Sequence, residues 1–327
     1  MRRLLLVLSM TAALSVGCKK EPSSGGEAGT TKPSDLTIAV IPKGTTHEFW
    51  KSVDAGAQQA GRDLGVQIIW KGPLKEDDRD AEINVVQQFI GDRVSGIVLA
   101  PLDSRALLDP VRLANGQSIP VVIIDSALEG EAGKDFISFV ATDNRQGGRI
   151  AGEELVRLLN GKGTVVMLPY AEGSASTLDR EAGFLEVVAK HPEMHVVGQG
   201  QYGGPTLDHA QQVALNMIDA IKQADGIFCS NESNTAGMLA ALRTAGIVGK
   251  ARFVGFDASP QLIQSLRDKE LDALVAQDPF KMGYEGVKAM VDHIHGKQVP
   301  QRVDTGVHLI TRDNLSDPAI QALTKPH

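Results

Sequence analysis

The chain contains 327 residues, more than a single hydrophobic core usually supports, so we expect about two domains. Its formal net charge of −7 argues against a nucleic-acid partner, which binds basic surfaces. With only two cysteines, Cys18 and Cys229, the chain cannot build a disulfide-rich scaffold.

The first 17 residues have the composition of an export signal. Arg2 and Arg3 precede an apolar stretch over residues 4–14, which is too short to span a bilayer as a helix. The following Leu14-Ser15-Val16-Gly17-Cys18 resembles the cleavage site of bacterial lipoproteins, in which the cysteine receives lipid. We therefore expect a lipoprotein signal peptide over residues 1–17 and lipidation of Cys18. An ordinary secretory signal followed by a chance cysteine is the alternative.

Residues 19–34 are rich in Gly, Ser, Thr, Pro and charged residues and lack an apolar period. This composition is typical of a flexible tether, so we assign residues 18–34 to the lipidated cysteine and its tether. An anchored body of this kind would work at a membrane, in the periplasm or at the cell surface.

From residue 36 onward, short β-branched runs alternate with longer segments of helical period. Apolar runs of this kind are typical of parallel strands that are covered on both faces, so the alternation predicts an α/β fold with doubly wound parallel sheets. The predicted strands are residues 36–41, 66–70, 96–100, 121–125, 137–142, 164–168, 196–199, 226–230, 252–256 and 273–276. The predicted helices are residues 49–64, 81–91, 145–159, 180–190, 208–222 and 237–244.

The sequence also repeats itself at low resolution. Residues 96–125 and 226–257 both run from Gly-Ile through a helix to a strand that ends in aspartate, Asp125 or Asp257. Residues 41–43 correspond to 168–170, and residues 70–73 to 202–205. The repeat predicts two similar lobes, which begin near residues 35 and 143.

Ligands of open parallel sheets bind beyond the carboxyl ends of the strands, so two facing lobes would share one cleft. The strand ends carry carboxylates, amides, a lysine, a histidine and aromatic rings. Carboxylates and amides bind hydroxyl groups, and aromatic faces cover the C–H face of a sugar ring. The inventory therefore indicates a polyol site rather than a phosphate site.

These motifs together resemble the ribose-binding type of periplasmic sugar-binding proteins, the type I receptors of ABC importers. The resemblance covers nearly all of residues 36–312. It is carried by Ile38-Ala39-Val40 with His47-Glu48-Phe49-Trp50, by the strand ending in Asp125, and by Thr142-Asp143-Asn144, Ser230-Asn231-Glu232, Val254-Gly255-Phe256-Asp257 and Ala276-Gln277. Ile41-Pro42-Lys43, Gly72-Pro73 and Asp125-Ser126 are similar to the rhamnose and autoinducer receptor branch.

The resemblance implies a lobe composition and a hinge. The chain is expected to cross between the lobes near Asp143, Gln277 and Gly306, with the lobes closing about these crossings. The N-terminal lobe would then contain residues 35–142 and 278–305, and the C-terminal lobe residues 143–277 and 306–327.

The resemblance also implies the roles of individual residues. Phe49 and Trp50 would stack on the sugar, His47 and Asp125 would bind hydroxyls, and the second lobe would add polar partners. Ser126 and Leu178 stand where ribose-type proteins have arginines, which argues against ribose itself; Lys43, Lys71 or Arg180 are candidate replacements. The expected ligand-binding residues are Lys43, His47, Phe49, Trp50, Asp125, Ser126, Arg180, Tyr202, Asn231, Asp257 and Gln277.

Several of these residues also have a structural interpretation. Phe49 could pack in the core, Lys71 could be a solvated surface charge, and Arg180 could pair with Asp179 or Glu181. Thr45-x-x-Glu48 fits a capping box, so we expect Glu48 to cap a helix rather than touch the ligand. Ser176-x-x-Asp179 has a similar pattern.

The expected function is a lipid-anchored receptor that captures a small sugar or polyol and delivers it to the permease and ATPase subunits of an ABC importer. A sensory receptor that presents the same ligand to a chemoreceptor or sensor kinase is the alternative. We expect no enzyme activity, although a carboxylate pair across a cleft could do acid–base work. We further expect a monomer without cofactor, metal ion or nucleic acid.

Overall fold

A computed structural model describes residues 35–325. The strands are Thr37–Ile41 (β1), Gln67–Trp70 (β2), Gly96–Leu99 (β3), Val121–Ile124 (β4), Phe139–Ala141 (β5), Gly163–Leu168 (β6), Met194–Val197 (β7), Gly226–Cys229 (β8), Arg252–Phe256 (β9), Ala273–Gln277 (β10), Arg302–Asp304 (β11) and Val307–Thr311 (β12). The helices are Glu48–Leu64 (α1), Arg79–Gly91 (α2), Leu108–Gly116 (α3), Asn144–Leu159 (α4), Ala175–Val188 (α5), Leu207–Asn216 (α6), Ile218–Gln223 (α7), Glu232–Thr244 (α8), Pro260–Arg267 (α9), Pro279–Ile294 (α10) and Pro318–Leu323 (α11).

The strands form two six-stranded sheets, which confirms the predicted two-lobed α/β fold. The first lobe has the order β11-β5-β4-β3-β1-β2 and the second β12-β10-β9-β8-β6-β7. All pairings are parallel except that of β12 with β10, which is antiparallel. The sequence pattern did not predict β11 and β12, because these edge strands are partly exposed and lack a continuous apolar run.

Each sheet is buried on both faces, as its apolar strands require. In the first lobe, one core cluster includes residues of α1 and α10, and another includes residues of α2 and α3. In the second lobe, α4 and α5 contribute to one cluster, and α6 to α9 contribute to the other. Since helices cover both faces, the carboxyl ends of the strands are left as the edge where polar side chains gather.

The chain passes between the two sheets at three places. It leaves the first sheet after β5, returns after β10 and changes sheet again between β11 and β12. The first two passages coincide with helix N-caps: Asp143 accepts from the Gln146 N–H at the start of α4, and Asp278 accepts from the Lys281 N–H at the start of α10. The third contains Gly306 in a left-handed conformation, with φ of 93°.

Two helix pairs approach each other through glycines. A Cβ atom on Gly56 in α1 would lie 1.9 Å from the carbonyl oxygen of Phe280 in α10. A Cβ atom on Gly148 in α4 would likewise lie 1.9 Å from the carbonyl oxygen of Arg180 in α5. In each lobe, therefore, the helix that follows a passage packs directly against the backbone of another helix.

Other elements differ from the sequence-based expectation. The predicted helix over residues 208–222 is divided at Met217 into α6 and α7. Helices α9 and α11 were not predicted; like α10, they begin with proline at the first position, where its missing N–H costs nothing. None of the helices within residues 35–325 has the length and apolar content needed to cross a membrane. The predicted signal peptide, Cys18 and the tether lie outside the described residues.

Candidate functional site

A polar pocket lies between the lobes at the carboxyl ends of the strands. It encloses about 340 Å³ of empty space, part of which opens to solvent. Its lining residues are Lys43, His47, Phe49, Trp50, Glu76, Asp125, Tyr170, Ser174, Ser176, Thr177, Arg180, Asn231, Glu232, Asp257 and Gln277. Both lobes contribute, so a ligand here would be held between them.

Asp125 and Asp257 occupy corresponding positions at the ends of β4 and β9. Both have left-handed backbones, with φ of 61° and 70°. Each is fixed there by a hydrogen bond from its N–H to the neighbouring strand, to the carbonyl of Val140 or Val275. Such a backbone is unfavourable for residues other than glycine and is concentrated at functional sites. Here it turns the chain sharply just beyond a buried strand.

Lys43 joins the two lobes beside Asp125. Its ammonium lies 2.8 Å from the Asp125 carboxylate and donates to the Ser176 hydroxyl at 3.0 Å. The N–H of Ser176, in the first turn of α5, donates to the Ser126 hydroxyl oxygen at 3.1 Å. Lys43 and Asp125 are buried, so their charges compensate each other away from water.

Glu76, in the loop after β2, is the centre of a second polar group. One carboxylate oxygen accepts from the Trp50 indole N–H at 2.6 Å and from His47 Nδ1 at 2.7 Å. The other accepts from the Tyr170 hydroxyl of the second lobe at 2.9 Å. His47 Nε2 faces the Pro205 carbonyl oxygen, also of the second lobe, at 2.9 Å. Because both ring nitrogens face acceptors, His47 is an imidazolium that donates on each side.

Electrostatics agree with this protonation state. Burial alone would lower the pKa of His47, but the attraction and hydrogen bond of Glu76 raise it to about 9. Burial alone would raise the pKa of Glu76, but His47, Lys43 and the Trp50 hydrogen bond lower it to about 2. The group is therefore an ion pair at neutral pH.

In the second lobe, the Asp257 carboxylate accepts from the Gln277 amide at 2.8 Å and from the Glu232 N–H at 2.9 Å. The Glu232 carboxylate reaches across the cleft and accepts from the Phe49 N–H at 3.1 Å, at the start of α1. Burial and repulsion by Asp257 raise the pKa of Glu232 to about 7. At neutral pH this carboxyl group is therefore close to its titration midpoint.

Arg180 lies deep in the pocket beneath these carboxylates. Its Nε donates to the Asn144 amide oxygen at 2.8 Å, and its Nη1 donates to the Ser230 carbonyl at 3.0 Å. The guanidinium lies 4.0 Å above the centre of the Phe256 ring. Asp179 instead lies near Arg145, and Glu181 accepts from the Tyr170 N–H. Arg180 is thus fixed as a buried cation facing the ligand pocket.

The pocket contains nine of the eleven residues predicted to bind ligand: Lys43, His47, Phe49, Trp50, Asp125, Arg180, Asn231, Asp257 and Gln277. Ser126 lies directly behind it and bonds to Ser176. Tyr202 is not among the lining residues and is 37% exposed, because β7 ends at Val197, five residues before it. Leu178 is exposed as well, and Lys71 donates to Gln88 on the surface. The ligand-contact roles remain predictions.

The predicted ligand-binding set left out several lining residues, above all Glu76, Tyr170, Glu232 and Ser176. Tyr170 and Glu232 lie two and three residues beyond the ends of β6 and β8, at strand ends expected to line the cleft, but they were not selected as ligand-binding residues. Glu76 lies six residues beyond β2 in a charged loop, where no local pattern distinguishes it from Asp77 and Asp78.

The predicted helix caps were wrong. Helix α1 begins at Glu48, whose side chain pairs with Lys51 at 2.6 Å, while the Thr45 hydroxyl donates to the Pro73 carbonyl. Ser176 lies inside α5 instead of capping it, because Ser174 occupies the N-cap position. The Ser176 side chain is thereby free to accept from Lys43.

The pocket offers carboxylate and amide acceptors, cationic donors and an aromatic wall in which Phe49 and Trp50 meet edge to face at 4.9 Å between ring centres. Such an arrangement binds a small polyhydroxylated molecule through many directed hydrogen bonds.

Comparisons with known proteins agree with the two-lobed α/β fold. A D-ribose/D-allose-binding protein of Pseudomonas aeruginosa is 28% identical over 95% of this chain and 98% of its own. A carbohydrate transporter solute-binding protein of Agrobacterium radiobacter, solved with D-arabinose, is 33% identical with a TM-score of 0.83, covering 89% of this chain and 99% of its own. An ABC transporter solute-binding protein of Agrobacterium vitis, solved with D-fucose, is 31% identical with a TM-score of 0.83, covering 88% and 100%. The model of the periplasmic binding protein domain matches residues 38–298, and the chain belongs to that family.

Proposed function

We propose that this protein is the periplasmic receptor of an ABC importer and captures a small sugar or polyol between its two lobes. The observation that carries the proposal is the pair Asp125 and Asp257, which face one pocket from corresponding strand ends. Their carboxylates accept hydroxyl hydrogens, and Lys43 and Arg180 supply donors to ring and hydroxyl oxygens. The similar solved proteins are named as solute-binding proteins of transporters, which favours import over sensing.

A thermal-shift and calorimetric screen tests the proposal. The panel contains D-ribose, D-allose, D-arabinose, D-fucose and myo-inositol, with amino acids as the contrasting class. A ligand at 100 times its dissociation constant stabilises the folded protein by about 2.7 kcal/mol. Stabilisation by amino acids but by no sugar or polyol would refute the proposal. D-Ribose is expected to bind less tightly than the best sugar, because Ser126 replaces an arginine of the ribose-type receptors.

The receptor is proposed to act without chemical turnover. The family binds and releases its ligands, and a bound sugar should be recovered unchanged after long incubation at saturating protein. Appearance of a new product by chromatography or NMR would instead point to acid–base chemistry between the pocket carboxylates.

We also propose that Cys18 is lipidated and anchors the receptor to a membrane. The supporting observation is the sequence Leu14-Ser15-Val16-Gly17-Cys18 after a short apolar stretch. Expression with radiolabelled palmitate should label the wild-type chain and leave Cys18→Ser unlabelled and released from membranes. Equal release of both forms would favour an ordinary secretory signal.

A further inference from the structure

A second chamber adjoins the polar pocket on the side of the passage after β10. It encloses about 650 Å³ of empty space, part of which opens to solvent. Phe49, Glu232, Asp257 and Gln277 line both the pocket and this chamber. The two spaces are therefore direct neighbours that share four lining residues.

The second chamber differs in chemistry from the first. Beyond the shared residues its lining is mixed: Ala258, Pro260, Pro279 and Leu323 are apolar, and Ser259, Thr324 and Lys325 are polar. At its rim, Glu48 and Lys51 neutralise each other at 2.6 Å. Ser52 is a small side chain on the same face of α1. A chamber of mixed lining whose rim charges are paired suits an uncharged substituent, such as an aglycone or a second ring.

Gln277 lies at the junction and has an unused acceptor. Its Nε2 donates to Asp257, while its Oε1 is buried and has no hydrogen-bond partner among residues 35–325. The residue is only 4% exposed, so this oxygen gains little from solvent. A buried acceptor left unpaired is unfavourable. A ligand hydroxyl placed between the two spaces would satisfy it.

We propose that the second chamber is a subsite for the substituent of a sugar derivative: the sugar ring occupies the polar pocket, and an uncharged aglycone or second ring extends past Phe49 and Gln277. This rests on the proposed sugar-binding function and names glycosides, rather than free monosaccharides alone, as ligands.

Calorimetry with matched probes tests the subsite. The probes are D-ribose, D-allose, D-arabinose and D-fucose, and the methyl and 4-nitrophenyl glycosides of each in both anomeric forms. At least one glycoside should bind within tenfold of its free sugar or tighter. Ser52→Trp, which fills the chamber from an α1 position outside the polar pocket, should weaken that glycoside at least 30-fold and change the free sugar less than threefold. Ser52→Ala is the matched control and should change neither the affinity for the glycoside nor that for the free sugar. Ala258→Leu, which fills the chamber from the second lobe, should weaken the glycoside selectively as Ser52→Trp does.

The outcomes separate the two proposals. If a free sugar binds while every glycoside is more than tenfold weaker, the subsite is refuted and the receptor function stands. If Ser52→Trp and Ala258→Leu leave the glycoside unaffected, the subsite is refuted too. If no free sugar and no glycoside binds, the subsite fails, and the receptor function fails with it only when myo-inositol does not bind either and an amino acid does.

Discussion

The Tyr170 hydroxyl of the second lobe donates a hydrogen bond of 2.9 Å to the Glu76 carboxylate of the first lobe. Tyr170 is buried, and the same carboxylate is held by Trp50 and His47 from its own lobe. This bond exists only while the lobes face each other, and it involves no ligand atom. It therefore stabilises the arrangement of the lobes independently of the ligand's identity.

Tyr170→Phe should weaken binding by roughly 10- to 100-fold, because a hydrogen bond to a charged acceptor contributes about 1.5–3 kcal/mol. Since the lost bond does not involve the ligand, calorimetry should show the same factor for every ligand that binds. Tyr202→Phe, at an exposed tyrosine, is the control and should bind as the wild type does. A factor that varied strongly between ligands would instead place the Tyr170 hydroxyl in direct contact with them.

Asp125→Ala should lower both affinity and stability. Removing the carboxylate leaves the Lys43 ammonium buried without its partner, which costs about 3–5 kcal/mol in the free energy of unfolding. The pairing with Lys43, and with it this loss of stability, was not predicted from the sequence. Urea unfolding provides the measurement.

A double variant separates the effect of Asp125 on stability from its effect on affinity, and a variant at Glu48 serves as the control. Lys43→Met combined with Asp125→Ala should recover most of the stability while the affinity stays low. Glu48→Ala, which removes an exposed ion pair, should change stability by less than about 0.5 kcal/mol. Recovery of full affinity in the double variant would remove both residues from ligand binding.

The His47–Glu76 pair should make stability fall at alkaline pH. The pKa of His47 is about 9 in the folded protein against 6.5 for the free side chain, so its contribution is fully present below pH 6.5. That contribution is lost as the pH rises towards 9, by about 1–3 kcal/mol. His47→Gln should lack this part of the decline. An unchanged pH profile in the variant would show that the ring is neutral in the folded protein.

Glu82 should contribute a second, separable pH dependence. Burial raises its pKa to about 8, and its carboxyl group accepts from the Leu102 N–H at 3.0 Å. Because its pKa is raised in the folded protein, protonated Glu82 favours the folded state at low pH. This contribution to stability is lost as the pH rises through 8. Glu82→Gln keeps an acceptor without the charge, so it should raise the free energy of unfolding at pH 8.5 by about 1–4 kcal/mol and leave it nearly unchanged at pH 4.5. A variant less stable than the wild type at both values would contradict this.

Period and composition predicted ten strands in their observed order, because most of them are buried apolar runs; the edge strands β2 and β7 are partly exposed but still rich in β-branched residues. They did not predict β11 and β12, whose residues are half exposed. They also missed α9 and α11, which are short helices of eight and six residues.

The site was predictable where a residue follows a buried strand, as Asp125 and Asp257 do. Tyr202 illustrates the limit: it was matched to Trp70 through the shared Gly-Pro, whereas β7 ends five residues before it. Glu76, in contrast, lines the pocket but was not predicted. Its position depends on where a loop folds back against another lobe, and loop paths are set by tertiary contacts rather than by local period.

The glycine contacts of α1 with α10 and of α4 with α5 restrict where this molecule can bend. A Cβ atom on Gly283 would lie 2.0 Å from the Val53 carbonyl, and one on Gly183 would lie 2.1 Å from the Arg145 carbonyl, so neither pair has room to slide. Rotation between the lobes is therefore expected to be taken up by the few residues around Asp143, Asp278 and Gly306, with each lobe moving as one body.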